Sequence, residues 1–419
     1  IIQNFDKLAT NKTRQDALSI IEAGLQAINT GKAVRRSVSL EGNVLKVQSR
    51  RYDLSKFERV YVIGFGKAAH DAAVELERIL GKRITNGTVI DVVKNGSLKR
   101  IEYVQGTHPL PSQKNVKATA RIMEKLKGFD SKTLVLTIVS GGGSALLAQP
   151  CEMKNEHLIK INEYLLSCGS TIQEINTVRK HISEIKGGQF ARLAHPATVI
   201  GLIFSDVPGD DLSVVASGPT VLDTTTIEDA KRIIKRTGLL KNSNVPTCEP
   251  VETPKDPVYF KKVQNFLLVS NQVAVKAMSD RANKIGYSAR LYSRQLTGEA
   301  QKIGQELVQA VRVGEALIAA GETHVVVSGN GKGGRNQELV LGALLKLRSD
   351  TLVASVASDG IDNTPAAGAF ADQDLLDLIA KRQLDPKQAL KNNDAYNFFK
   401  PLKCQIKTGK TGATVSDLM

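Results

Sequence analysis

The chain has 419 residues, of which 42% are hydrophobic and 24% are charged. This composition is that of a folded globular protein, and the length predicts two or three domains of about 150 residues each. Lys and Arg number 57 against 42 Asp and Glu, which leaves a net charge of +15. Because aromatic residues make up only 5% and the basic residues are spread along the chain, we expect a solvated basic surface rather than a nucleic-acid interface.

The four cysteines are far apart in the sequence and form no CxxC pair. We therefore expect neither a disulfide framework nor a structural zinc site, and a reducing cytoplasm is the expected compartment. No apolar run approaches the roughly 18 residues that a membrane-spanning helix needs, so no membrane partner is predicted. The first six residues lack the basic and apolar regions of a secretion signal.

In chain order, short apolar runs alternate with segments of helical periodicity. The first helix ends near Gly31, and further helices are predicted between the runs, including one over 171–186. Nearly continuous apolar runs predict buried strands at 60–63, 88–93, 133–139 and 197–204. This alternation predicts an α/β fold built on a mostly parallel sheet flanked by helices.

Four prolines punctuate a polar stretch that ends near residue 258 and predict a linker over 246–258. We therefore expect a Rossmann-like α/β domain over 1–245 and a smaller α/β domain, also with a mostly parallel sheet, over 259–419. In the second domain we predict a long helix between Gly298 and Gly321. Strands are predicted there at 266–269, 288–292, 324–327 and 352–357.

Several strand ends run into loops rich in Gly, Ser, Asp or Lys, where open α/β sheets bind ligands. The first loop, Gly64-Phe65-Gly66-Lys67-Ala68-Ala69, fits G-x-G-x-x-A and opens a helix. Lys67 and the helix N-terminus could together hold a carboxylate or phosphate. A tight turn with an exposed lysine is the structural alternative.

The second loop is Ser140-Gly141-Gly142-Gly143-Ser144, directly after the predicted strand 133–139. Consecutive glycines permit a close backbone approach to a ligand and predict a phosphate-binding nest. The spacing is not that of a Walker P-loop. Ser144 also lacks the G-x-S-x-G elbow of a hydrolase nucleophile, because Leu146 stands where the last glycine belongs.

A third loop, Ser205 to Asp211, places three carboxylates in six residues. Asp206 and Asp210 are the candidate ligands of a Mg²⁺ ion, which prefers carboxylate oxygens. Turn formation and helix capping by Asp are the alternative explanation, and they apply more to Asp210 and Asp211 than to Asp206.

A fourth loop combines four glycines with two cations, Lys332 and Arg335. Lys332, Gly333 and Gly334 are predicted to contact phosphate, and the planar fork of Arg335 can grip phosphate or carboxylate. Two further loops have similar chemistry: Asp359 and Asp362 follow a predicted strand and suit Mg²⁺ or a hydroxyl-bearing substrate, and a small basic loop spans 407–414.

Two isolated residues are weaker candidates. Arg179 lies beside the apolar stripe of the helix over 171–186 and therefore needs an anionic partner. A structural salt bridge is the favoured partner and a ligand is the alternative. His108 lies in the stiff turn Gly106-Thr107-His108-Pro109, where a hydrogen-bonded structural role is favoured over catalysis.

Together these motifs resemble the glycerate 2-kinases of the MOFRL type, in matching order along essentially the whole chain. The motifs are G-x-G-K-A-A at 64–69, G-T-H-P at 106–109, S-G-G-G-S-A-L at 140–146, S-D-V-P-G-D at 205–210, S-G-P-T at 217–220, G-K-G-G-R-N-Q-E at 331–338 and D-G at 359–360. One motif departs from the family: the usual G-T-N-V reads G-A-T-V at 412–415, which leaves the role of Thr414 open.

The resemblance implies two α/β domains with the active site in a cleft between them, and phosphorylation of D-glycerate to 2-phosphoglycerate with ATP and Mg²⁺. It implies that Lys67 and Arg335 are the active-site cations. With Asp206 they form our predicted catalytic set, and Arg179 and Asp359 complete the predicted substrate-binding set. The oligomeric state stays open, with a homodimer as one alternative.

Two other classes of function are alternatives. The G-x-G-x-x-A loop alone would suit an NAD(P)-dependent hydroxypyruvate reductase. A non-enzymatic nucleotide sensor would not need two acidic loops. Phosphoryl transfer, which depends on positioning and charge neutralisation, accounts best for glycine nests, carboxylates and cations in one chain.

Overall fold

The computed structural model of the chain describes residues 1–207, 209–239, 249–413 and 415–419. These residues divide into two compact units. The central unit is Ala33–Leu268, and the terminal unit combines Ile1–Lys32 with Val269–Met419. Within the described ranges, no helix has the length and apolar character needed to cross a bilayer.

The first part of the chain alternates strands and helices as the sequence predicts, with an additional small antiparallel sheet of β1 to β3. Its elements are α1 (Phe5–Leu8), α2 (Lys12–Ile28), α3 (Thr30–Ser37), β1 (Val38–Glu41), β2 (Val44–Val47), β3 (Arg50–Asp53), β4 (Arg59–Phe65), α4 (Ala69–Leu80), β5 (Asn86–Asp91), β6 (Ile101–Gln105), α5 (Gln113–Lys127), β7 (Thr133–Ser140), α6 (Gly143–Leu146), α7 (Asn155–Ser167), α8 (Ile172–His181), α9 (Gln189–Ala194), β8 (Thr198–Phe204), α10 (Ile227–Thr237) and β9 (Val263–Val269).

The main sheet of the central unit has the strand order β6-β5-β4-β7-β8-β9. Its β5–β6, β4–β5, β4–β7 and β7–β8 pairs are parallel. Every residue of β7 is buried, because helices cover both faces of the sheet, and this confirms the predicted buried strand. Counted along the chain, the order is 3-2-1-4-5-6, so the crevice where such sheets bind ligands lies between the ends of β4 and β7.

Hydrophobic side chains on one face of this sheet pack against α5 and α9. The core comprises, among others, Ile63, Phe65, Ile122, Val135, Val139 and Phe190. Phe65 and Val139 are paired across β4 and β7 at the ends of these strands. The core therefore holds rigid the two strand ends from which the glycine loops leave.

The terminal unit contains a second six-stranded sheet of order β10-β11-β15-β12-β13-β14. Its elements are α11 (Asn271–Lys284), β10 (Ser288–Leu296), α12 (Ala300–Ala310), β11 (Glu315–Gly321), α13 (Arg335–Ala343), β12 (Val353–Ala357), β13 (Gly368–Ala371), α14 (Gln373–Lys381), α15 (Pro386–Lys391), α16 (Ala395–Phe399), β14 (Gln405–Ile406) and β15 (Asp417–Leu418). Helix α2 packs on α11 in this unit, where Gly24 lies against Met278.

This second sheet is mixed, whereas the sequence predicted a mostly parallel one. Only β10 and β11 run parallel, and the other four pairs are antiparallel. The C-terminal strand β15 inserts between β11 and β12 and runs opposite to both, and β13 runs opposite to both β12 and β14, so these two strands account for the four antiparallel pairs. The α/β class itself is confirmed in both units.

Two local predictions in this region are wrong. The predicted helix between Gly298 and Gly321 ends at Ala310, and Glu315–Gly321 forms β11 instead. Its Ala and Leu residues favour a helix, but pairing with β10 and β15 overrides that preference. The predicted strand at 324–327 makes only a single bridge, between His324 and Glu299, and Val327 there is 75% exposed.

The division into units does not follow the predicted linker over 246–258, of which residues 246–248 lie outside the described part. The boundary falls after Leu268 because the segment beyond the prolines still belongs to the central unit. There, β9 forms the sixth strand of its sheet, and the Thr253 hydroxyl donates to Asp223 at 3.2 Å. Residues 1–32, which we assigned to the first domain, instead pack with the terminal unit.

Candidate active site

The loops after β4 and β7 are bonded to each other at the crevice of the central sheet. The Lys67 N–H donates to the Gly141 carbonyl oxygen at 2.9 Å, and the Ala68 N–H donates to Ser140 Oγ at 3.1 Å. Gly66 has φ +120°, and a Cβ there would overlap Ser140. The predicted anion loop and the predicted phosphate nest are therefore one structure, which carries the half-buried side chain of Lys67.

Asp206 meets this structure from the neighbouring strand. Strand β8 ends at Phe204, which pairs with Ser140, and Asp206 follows two residues later. Its carboxylate lies so close to Gly141 that a Cβ on Gly141 would overlap it. Lys67, the glycine loop and Asp206, all predicted from the sequence, are thus together in the central unit.

Asp210 has an unusual environment for a turn residue. Its backbone is left-handed, with φ +58°, and its Oδ1 is buried without a hydrogen bond within the described residues. An acceptor oxygen in this state can serve as a metal ligand. Since no group of three or more His, Cys, Asp or Glu side chains in the described part is placed to hold a metal ion by itself, a Mg²⁺ ion here would use one or two carboxylates plus phosphate oxygens.

His108, for which we favoured a structural role, lies beside Lys67. A Cβ built on Gly142 would be 2.8 Å from the His108 ring and 3.3 Å from Lys67 Cγ. Burial and the charge of Lys67 both lower the pKa of His108. A ring kept neutral at pH 7 can accept a proton or a hydrogen bond next to the anion site. The position of His108 in the sequence could not reveal its contact with Lys67, because that contact forms only when the loops pack together in the folded protein.

A chain of polar side chains links the glycine loop to α8. Ser144 Oγ lies 3.0 Å from Ser217 Oγ, and the Ser217 hydroxyl donates to Asn176 Oδ1 at 2.9 Å. Asn176 is buried on α8, one turn before Arg179. The sequence places Asn176 on the same polar helix face as Arg179 and Ser217 in the S-G-P-T motif at 217–220, but neither residue was assigned a catalytic, binding or metal role.

Arg179 does not make the structural salt bridge that we favoured. Its Nε donates to the neutral amide oxygen of Asn162 at 2.6 Å, and the described residues offer it no carboxylate partner. Burial lowers the pKa of Arg179. The guanidinium group is therefore a half-buried cation that no carboxylate of the described residues balances.

The remaining predicted site residues lie in the terminal unit. Arg335 begins α13 and forms an ion pair with Asp417 at 2.5 Å and another with Glu322 at 3.2 Å. Burial alone would lower the pKa of Arg335, but the bond to Asp417 and the charge of Asp417 raise it above its ordinary value. Arg335 is thus held by carboxylates of its own unit.

The other loops of this unit meet around the start of α13. Asp362, not Asp359, accepts from the backbone N–H groups of Asn336 at 3.0 Å and Gln337 at 2.9 Å. Gly334 lies against that same carboxylate, where a Cβ would overlap it. Lys332 is exposed, its N–H donating to Asp394 at 2.8 Å.

Asp359 is half-buried, and its carbonyl oxygen accepts from the Thr411 N–H at 3.1 Å, which joins the small basic loop to this cluster. Asp362 caps the start of α13 through the two backbone N–H groups that it bonds there. Within the part of the chain that the structure describes, the Asp359 side chain bonds only the Ile361 N–H, at 3.0 Å. Thr414, whose role the sequence left open, lies outside the described residues.

Comparison with known proteins gives matches along nearly the whole chain. Residues 16–248 match the family described as "Domain of unknown function (DUF4147)", and residues 315–417 match the MOFRL family. The chain is 34% identical to a D-glycerate 2-kinase of Thermotoga maritima, over 96% of each protein. A crystal structure of glycerate kinase from the same organism superposes with a TM-score of 0.86 at 34% identity, covering 96% of this chain and 97% of that one.

One relative carries a different name. A protein of Agrobacterium vitis, provisionally named a hydroxypyruvate reductase, is 34% identical over 86% of each chain. This is the activity that the G-x-G-x-x-A loop on its own would suggest.

Proposed function

The chain belongs to the glycerate kinase family, and we propose that it transfers the γ-phosphoryl group of ATP to the 2-hydroxyl of D-glycerate with Mg²⁺. The observation that supports this most is the junction of Lys67, the glycine loop and Asp206 at the crevice of the central sheet. It combines a cation, a close backbone approach and a carboxylate. These are the groups that phosphoryl transfer uses to position and neutralise phosphate.

We assign the roles as follows. The backbone of Ser140 to Ser144 cradles phosphate groups, and Lys67 neutralises the transferring phosphoryl group or the glycerate carboxylate. Asp206 and Asp210 would hold Mg²⁺, which when bound neutralises and orients the phosphate oxygens. In the terminal unit, Arg335 supplies a second cation. A second phosphate-binding loop is formed there by Lys332, Gly333 and Gly334. Asp359 can bond a substrate hydroxyl.

The reductase alternative has a specific weakness in this structure. Dinucleotide-binding folds use an acidic residue about 20 residues after the glycine motif to hold the ribose of the cofactor. Asp91, at the end of β5, stands in that position, but it is only 2% exposed. It accepts from the backbone N–H groups of His70 at 2.9 Å and Val92 at 2.6 Å. Its carboxylate is therefore engaged by the protein itself.

Phosphorus NMR of the product made from D-glycerate, ATP and Mg²⁺ tests this proposal. We expect ADP and a phosphomonoester on carbon 2, with no turnover if either ATP or the divalent ion is left out. Lys67→Ala and Arg335→Ala should each lower the rate by about 10³-fold or more. Oxidation of NADH by hydroxypyruvate, without formation of ADP from glycerate, would instead support the reductase.

A further inference from the structure

Lys186 lies in the segment between α8 and α9, and its environment is unusual for a lysine. The residue is 2% exposed, and it has no hydrogen bond or ion pair from its side chain in the described structure. The residues outside the described part contain no Asp or Glu, so they offer no carboxylate either. A buried ammonium group is normally paired, because its desolvation is otherwise uncompensated.

A second buried lysine nearby shows the usual arrangement. Lys180, on α8, is 4% exposed and pairs with the equally buried Asp223 at 3.1 Å. The two lysines are six residues apart and equally inaccessible to water. Of these two lysines, only Lys186 lacks a carboxylate partner among the described residues. Burial in this region therefore does not by itself explain why Lys186 is unpaired.

The charged group that acts on Lys186 is another cation. Burial, and to a smaller extent the positive charge of Arg179, lower the pKa of Lys186 to about 7. Arg179 itself is bonded to the neutral amide of Asn162 and to no carboxylate of the described residues. A buried Lys186 beside a half-buried Arg179, with no carboxylate partner for either among the described residues, destabilises the folded protein, and such an arrangement is typical of a site that binds an anion.

This pair of cations lies next to the glycine loop. The Gly187 N–H, directly after Lys186, donates to the Ser217 carbonyl oxygen at 2.9 Å. The Ser217 hydroxyl in turn joins Ser144 of the glycine loop to Asn176. Asn176 and Arg179 are three residues apart on α8 and therefore share one face of that helix. All of these residues belong to the central unit.

We propose that Lys186 and Arg179 together bind the carboxylate of the substrate. This inference rests on the proposed function, in which the substrate is glycerate. Here Lys67 takes the first of its two proposed roles, in which Lys67 and the glycine loop serve the phosphate groups, so the glycerate carboxylate needs other cationic partners. Arg179 offers a planar fork and Lys186 a point charge, a combination that suits a small carboxylate in a site with little water.

The main test is Lys186→Met, which keeps the length and volume of the side chain and removes its charge. We expect the KM for glycerate to rise about 10- to 100-fold, as for loss of a charged hydrogen bond. The KM for ATP should stay within about twofold, and the thermal midpoint of unfolding should not fall, because an unpaired buried charge has been removed. Arg179→Gln should raise the KM for glycerate in the same way.

Lys180→Met is the matched control. It removes a lysine of the same burial, but it leaves Asp223 buried and without its partner. It should lower the thermal midpoint and leave the KM for glycerate within about twofold of wild type. A purely structural role of Lys186 would make the two variants behave alike.

Binding without turnover separates this inference from the proposed kinase activity. Glycerate alone should raise the thermal midpoint of the wild-type protein and fail to raise that of Lys186→Met, while a non-hydrolysable ATP analogue shifts both. An unchanged KM and an unchanged glycerate shift in the variant would overturn the inference. A rise in the KM for ATP instead would assign the pocket to a nucleotide phosphate. If the wild-type protein forms no phosphoglycerate, the proposed function fails whatever the binding result.

Discussion

The guanidinium group of Arg335 is gripped by both carboxylate oxygens of Asp417, with Nε 2.5 Å from Oδ2 and Nη2 3.1 Å from Oδ1. Burial raises the pKa of Asp417 more than the bond and charge of Arg335 lower it, so that the pKa is about 6. The fork–fork geometry fixes the plane of the guanidinium group at the start of α13. Asp417 is therefore a positioning residue for a cation that the resemblance placed in the active site.

If this positioning matters, Asp417→Asn should lower kcat/KM about 10- to 100-fold in a protein that still folds, because misplacing a catalytic cation is costly. Steady-state kinetics with circular dichroism would measure both effects. Glu322→Gln is the matched control, since Glu322 makes one more exposed contact with the same guanidinium group. Wild-type kinetics in Asp417→Asn would show that the orientation of Arg335 is irrelevant to the reaction.

The contact between Gly141 and Asp206 leads to a second prediction. Gly141→Ala should abolish most activity, by about 100-fold or more, because the new Cβ must displace the Asp206 carboxylate or the loop. Gly128→Ala is the control: it has a negative φ of −89° and its nearest neighbour would be 3.5 Å away. We expect that control to retain full activity. Comparable losses in both variants would point to general destabilisation instead.

Asp206 is also a proposed ligand of the divalent ion. Asp206→Asn should raise the Mg²⁺ concentration needed for half-maximal rate by about tenfold or more, because a neutral amide is a poorer ligand than a carboxylate. The thermal midpoint of unfolding should change little. Asp211→Asn is the control, since Asp211 is exposed and bonds the Ser213 N–H at 2.9 Å. A Mg²⁺ titration that Asp206→Asn leaves unchanged removes this residue from the metal site.

Lys186 makes stability depend on pH in a defined direction. Its pKa is about 7 in the folded protein and 10.5 ordinarily. Between these values the unfolded chain binds one more proton at this site, so its contribution to wild-type stability increases as the pH rises. Lys186→Met removes the penalty and should raise the free energy of unfolding by up to roughly 5 kcal/mol near pH 7, since each pKa unit between 10.5 and about 7 is worth about 1.4 kcal/mol.

Urea denaturation of both proteins at about pH 7 and about pH 9.5 would measure this difference. The advantage of the variant should be largest at and below neutral pH and should shrink toward pH 10.5, where the folded and unfolded states no longer differ at this site. A difference that does not vary with pH would show that Lys186 is not a desolvated cation.

Much of the central site could be predicted from the sequence. Continuous apolar runs identified the buried strands β7 and β8, and glycine or acidic loops followed their ends. Because the ends of parallel neighbouring strands lie at one edge of a sheet, Lys67, Gly141 and Asp206 had to come close together once those strands paired. The local sequence pattern and the geometry of a parallel sheet were sufficient to predict that these three residues lie together.

Other features of the folded protein could not be predicted, because no local sequence pattern indicates them. Strand β15 is two residues long, too short for any periodicity, yet it forms two of the antiparallel pairs of the second sheet. Arg335 and Asp417 are 82 residues apart, so nothing in either motif connects them. His108 and Lys67 likewise lie side by side only because two loops pack together, and neither motif indicates this contact.

The amino-acid sequence by itself determined the α/β class, the buried parallel strands and the types of residue at their ends, because these depend on periodicity and on the conformational demands of glycine. Only the tertiary structure decided which charges are paired. It showed Arg335 held by Asp417, Lys180 by Asp223, and Arg179 and Lys186 by no carboxylate of the described residues. The physical reason is that counter-charges act through space, and their partners lie tens of residues away along the chain.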